Sequence, residues 1–74
     1  MVSIGISGET IRLSQLLKLA GAVGDGAEAK FLIAGGEVLV NGVVEMRRGR
    51  KLQRGDRVEF AGETYEVAGQ KPGG

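Results

Sequence analysis

Apolar positions in this chain change their period twice. From Val2 to Ile6 apolar and small residues alternate, the two-residue repeat of a short strand, and Ser7-Gly8-Glu9 then reads as a turn. From Ile11 the period lengthens. Leu13, Leu16, Leu17 and Ala20 take the spacing that lines one helix face, and Arg12 and Lys18 fall outside that stripe. Gly21 is placed to stop this helix. Gly24-Asp25-Gly26 is a second break, with Asp25 positioned to cap a new helix. The apolar face of that helix is Ala29, Leu32 and Ile33, with Lys30 beside it, and Gly35-Gly36 ends it. Phe31 is open to either packing or partial exposure.

Beyond Gly36 the two-residue repeat returns. Val38 and Val40 face one way, with Glu37 and Leu39 on the other side. Asn41-Gly42 is a hairpin signal, because both central residues of a type I′ turn need positive φ. Val43-Val44 begins the return strand, which leads into a crowded basic tip. Gln53-Arg54-Gly55-Asp56 is another turn. Val58 and Phe60 alternate with Arg57 and Glu59, Ala61-Gly62 turns again, and Tyr65 and Val67 share one side of a last strand. The pattern predicts an α+β fold, two short helices packed on a small, mostly antiparallel sheet. Residues 1–68 form a single domain. Residues 69–74, with Pro72 and three glycines, are expected to be a flexible tail.

Composition narrows the chemistry. The chain has 74 residues and neither cysteine nor histidine. That excludes a thiol or imidazole nucleophile, a histidine base, a disulfide and the common zinc sites. Short elements leave little room for a deep pocket, so a binding module with no cofactor and no metal is expected rather than an enzyme. No apolar run approaches the length of a membrane span, and Met1 to Gly5 lacks the features of a signal peptide, so a cytoplasmic protein is expected.

Net charge is only +1, but its distribution is uneven. Six of the ten basic residues, Arg47, Arg48, Arg50, Lys51, Arg54 and Arg57, lie in one stretch. The acids gather elsewhere, at Glu9, Asp25, Glu28, Glu37, Glu45, Glu59, Glu63 and Glu66. A concentrated cationic segment on a near-neutral chain points to a local anionic partner. Arg47, Arg48, Arg50 and Lys51 are the leading candidates, since guanidinium groups bind phosphate in a bidentate manner. Gly49 among them is either a loop glycine or a position of positive φ or close backbone approach. Arg54 and Arg57 flank a turn and can pair with Asp56 or Glu59. Phe31, Phe60 and Tyr65 are not interleaved as a stacking platform, which argues against single-strand binding of the stacking kind.

An ordered series of residues carries a family resemblance: Arg12-Leu13, Leu17, Ala29-Lys30 with Leu32-Ile33, Gly36, Val38, Val40-Asn41-Gly42 and Gly55-Asp56. The series resembles the ribosomal-protein-S-four-type RNA-binding domain, or alpha-L RNA-binding motif, and covers roughly Arg12 to Phe60. The small stand-alone bacterial members are the most similar, through Leu16 to Gly21 and Arg47 to Lys51. The resemblance implies a module for structured RNA, ribosomal or transfer RNA, and a monomer is expected. It adds Arg12, Lys30 and, more weakly, Lys18 as RNA-facing residues of the helices. Two positions depart from the pattern. Ser14 stands where many members carry Asp, and Asp25-Gly26 where many begin the second helix with Ser-Arg. The missing arginine shifts weight onto Arg47 to Lys51.

Two other readings compete. The terminal Gly73-Gly74, with Val40-Asn41-Gly42 and Gly55-Asp56, also resembles ubiquitin-like sulfur carriers, whose last carboxylate is adenylated. The split helix, the extra hairpin from Phe60 to Val67 and the basic cluster count against that reading. A protein-interaction module whose basic tip meets an acidic partner is the third.

Overall fold

The computed structural model describes residues 1–69. Seven strands and two helices follow in the order β1 (Val2–Ile6), β2 (Thr10–Arg12), α1 (Leu13–Leu19), α2 (Gly26–Ala34), β3 (Leu39–Val40), β4 (Val43–Val44), β5 (Lys51–Gln53), β6 (Arg57–Phe60) and β7 (Glu63–Gly69). Five strands form the main sheet in the order β1-β7-β6-β3-β4. Its neighbours run antiparallel except β1 and β7, which are parallel with Val2 opposite Tyr65 and Ile6 opposite Gly69. The α+β class holds.

The helices end by the same device. Gly21 and Gly36 adopt φ of 73° and 78°. The amides then turn back: Gly21 donates to the Lys18 carbonyl and Ala22 to Leu17 after α1, Gly36 to Ile33 and Glu37 to Leu32 after α2. These Schellman pairs satisfy carbonyls that a helix end leaves open, in a conformation that costs glycine nothing. At the other end of α2, the Asp25 carboxylate accepts from the Glu28 amide at 2.8 Å. Asp25→Ala is expected to cost about 1 kcal/mol and lower Tm by about 5 °C, read by thermal unfolding followed by circular dichroism.

The core is one cluster. Leu13, Leu16 and Leu17 from α1, Ala29 and Ile33 from α2, and Ile6, Val38, Val40, Leu52, Val58 and Val67 from strands and their approaches are all buried. Val23 is buried with them and pins the interhelical loop.

Three details differ from the sequence pattern. Helix α1 starts at Leu13, not Ile11, because Thr10–Arg12 is extended and pairs antiparallel with β5 in a separate two-stranded sheet. Arg12 therefore sits at the helix cap rather than on its face. Gly49 has neither positive φ nor any atom near the place of a Cβ, so it is a plain loop glycine. Arg57 pairs with Glu66 at 3.6 Å, and Arg54 donates to the Gly8 carbonyl at 3.4 Å, in place of partners in their own turn. Of the tail expected from Gly69 onward, residues 70–74 lie outside the described residues.

Candidate functional site

The basic tip is the loop from residue 45 to residue 50, between β4 and β5. It is ordered by one acid. Glu45 is 93% removed from solvent, at 7% exposure, and its amide donates to the Val38 carbonyl at 3.0 Å. Its carboxylate accepts from Arg47 Nε at 3.0 Å and Nη2 at 3.2 Å, from the Arg47 amide at 3.1 Å, and from Arg50 Nη1 at 2.9 Å. The hydrogen bonds from Arg47, and next those from Arg50, hold the Glu45 carboxyl at about 2 against an ordinary 4.5, while its burial acts the other way. The same contact raises the Arg47 guanidinium.

This loop is also tied to α1. The Leu13 amide donates to the Arg50 carbonyl at 2.9 Å and the Ser14 amide to the Arg48 carbonyl at 3.1 Å. Two amides that a helix start leaves open are thus satisfied by the loop backbone, and Arg12 offers no side-chain cap. The position of Arg48 is fixed by its own main chain, while its side chain stays exposed.

The cations divide into two groups. Arg47 and Arg50 are committed to Glu45 on one edge, although the Arg47 side chain keeps 77% of its surface in water. Arg12, Lys18, Lys30, Arg48 and Lys51 form no ion pair among the described residues. Three of these converge. Arg12 from the end of β2, Lys30 from α2 and Arg48 from the loop border an open hollow of ≈ 520 Å³ with Ser14, Gly26, Ala27 and Gly49. The small residues make its floor shallow enough for a ligand backbone to approach. A second hollow of ≈ 710 Å³ lies beside it, across Gly49, bordered by Arg47, Arg50 and Lys51. Arg12 and Lys51 are direct partners across β2 and β5, both exposed. Like charges in that relation repel, and an anion between them relieves the repulsion. Lys18 is not among these lining residues. It lies in the last turn of α1, where a cation complements the helix dipole.

The S4 domain family model matches residues 4–68, almost the whole described chain. The chain belongs to the S4 domain family. A relative in Bacillus subtilis (strain 168), named "Probable ribosome maturation protein RlbA", is 49% identical over 59 residues, spanning 80% of this chain and 83% of the relative. The solution structure of YbcJ from Escherichia coli, described as revealing an alphaL motif involved in RNA-binding, superposes with a TM-score of 0.63. It is 42% identical and covers 90% of this chain and 84% of YbcJ. The 30S ribosomal protein S4e of Thermoplasma acidophilum shares the fold at a TM-score of 0.61 and 23% identity, over 81% of this chain and 32% of S4e. Nothing in the fold or these relatives supports a sulfur carrier, and Gly73-Gly74 lie outside the described residues.

Glu45 is the residue that sequence reasoning passed over. The signal was present: it is the sole acid between Gly42 and Gly55, immediately before the cationic run. Ser14, Gly26 and Ala27 were also missed as lining residues, because only the fold brings them beside Arg48.

Proposed function

We propose that this S4 domain is a non-catalytic RNA-binding module that grips structured RNA, ribosomal RNA in the first place and transfer RNA as the second candidate, by its phosphate backbone. The observation that carries the reading is the convergence of Arg12, Lys30 and Arg48, without ion-pair partners among the described residues and drawn from three elements, on one hollow otherwise lined by small residues. Phosphates seated there meet charge-assisted donors, and the adjoining Arg47, Arg50 and Lys51 extend the track across Gly49. A track fixed by fold reads the spacing and path of a backbone rather than base identity, which is how folded RNA is distinguished. The description of YbcJ supports RNA as the ligand, and the name of RlbA supports a ribosomal one. The module acts as a cytoplasmic monomer. No helix among the described residues is long and apolar enough to cross a membrane.

The test is a fluorescence-anisotropy titration of a labelled hairpin RNA at two salt concentrations, with heparin as competitor. Binding of about micromolar affinity or tighter, falling steeply with salt, is expected, with structured RNA resisting moderate heparin. Absence of binding at low salt would overturn the reading. Binding that heparin displaces as readily as it does any polyanion would reduce the site to a charge patch.

A further inference from the structure

We propose that Phe31 is a stacking platform for one unpaired nucleobase of the bound RNA, an inference that rests on the RNA-binding reading above. Phe31 is the most exposed large apolar side chain among the described residues, at 78%. The other two aromatic residues, Phe60 and Tyr65, pack against the core. The fold therefore makes no use of the Phe31 ring. It borders a shallow apolar hollow of ≈ 530 Å³ with Ala27, Lys30, Ala34 and Gly35. Every neighbour but Lys30 is methyl-sized or smaller, which leaves room for a flat ligand beside the ring.

Position identifies the occupant. Ala27 and Lys30 border both this hollow and the cationic one, so the two are continuous along α2. A chain whose phosphate is held at Lys30 carries its next base to the ring. In a paired A-form stem the bases are stacked inside and cannot reach it, whereas a bulged or loop base splays outward. The patch offers one large side chain, too little for a protein partner, whose interface takes about 800 Å² on each side. A nucleobase needs a single ring, and stacking accepts any base.

The experiment compares two hairpin RNAs by anisotropy, both closed by a non-nucleotide linker so that neither has loop bases, one fully paired and one with a single bulged 2-aminopurine. Phe31→Ala is expected to weaken the bulged hairpin roughly tenfold and leave the paired hairpin unchanged. The slope of log affinity against log salt stays the same for both, because the ring carries no charge. Phe31→Trp restores the affinity. The 2-aminopurine fluorescence changes on binding to the wild type and to Phe31→Trp, as the base leaves the stem for the ring, and does not change on binding to Phe31→Ala. Phe31→Leu, if it keeps full affinity for the bulged hairpin, would overturn the proposal by showing a plain apolar contact. An equal effect of Phe31→Ala on both hairpins, or no effect on either, would overturn it as well. Failure of the wild type to bind either hairpin is a different result, since it removes the RNA reading itself and this proposal with it. Thermal unfolding of each variant confirms that the exposed ring is not a support of the fold.

Discussion

Lys30→Glu combined with Arg48→Glu is expected to weaken hairpin RNA binding roughly a hundredfold or more while the fold stays intact. Each of the two cations borders the hollow, is exposed and has no ion-pair partner among the described residues. Removing a charge-assisted phosphate contact costs roughly a tenfold loss at each position, and reversal adds repulsion of the RNA. The salt slope should fall by about two, one for each lost phosphate contact. Exposed substitutions away from buried partners change stability by only about 0.5 kcal/mol, so Tm should hold. Titration of the double variant at several salt concentrations, beside its thermal unfolding, checks both halves. Retained affinity would place the RNA elsewhere on the surface.

Choosing that pair rather than the arginines of the tip follows from Glu45. The sequence treats Arg47, Arg48 and Arg50 as equivalent, and replacing all three by glutamate looks like a test that spares the fold. In the structure, two of the three are the partners of a buried carboxylate. Their reversal would place acids around Glu45 and open the loop that closes the start of α1. A loss of binding would then report a disordered tip and not a lost phosphate contact.

Glu45→Gln carries the second large effect, and it acts in two directions. The neutral side chain releases Arg47 and Arg50 from their shared anion, so more free cationic charge faces solvent. Heparin binding should tighten several-fold and its salt slope should steepen by about one. The freed arginines are also no longer held in place, so the preference for hairpin RNA over heparin should fall. Competition titrations of the two proteins measure that ratio, and an unchanged ratio would show that the tip needs no internal acid. The pH dependence has a defined sign. The folded-state carboxyl lies at about 2, below its ordinary 4.5, so the contribution of Glu45 is fully present above 4.5. It is lost progressively as pH falls toward 2. Carboxyl titration by NMR should give a midpoint near 2, with the Arg47 Nε–H signal protected until then. In Glu45→Gln that protection should be absent at every pH.

These residues also mark what a sequence reader can reach. Helix faces were legible because three buried leucines in one turn of α1 have a single period that explains them. The hairpin at Asn41-Gly42 was legible because the backbone demand is local, and Asn41 and Gly42 take φ of 51° and 83°. The two-stranded sheet was not. Each of its strands is three residues long and carries one inward residue, Ile11 or Leu52, which is too short for alternation to register. Asn41 shows the same limit from another side. Its side chain accepts from the Arg57 amide at 2.9 Å and donates to Asp56 at 3.1 Å, joining two turns well separated in the chain. No local rule announces that link. The cationic stretch was visible as composition. Its division into arginines held by Glu45 and cations free to meet a ligand depends on tertiary placement.

The parallel pairing of β1 with β7 has a consequence for the order of assembly. Val2 to Ile6 are made before every other element described, yet their sheet neighbour among the described residues is the last of those strands, through Tyr65 to Gly69. Contacts this distant along a chain form late, after shorter loops have closed. The β3–β4 hairpin and the short β2–β5 sheet have both their strands by Gln53, and the two helices come earlier still, although their packing is completed only by Val58 and Val67. The cationic loop can thus dock on α1 while β1 is still unpartnered, and β1 waits with its edge exposed until the β6–β7 hairpin forms.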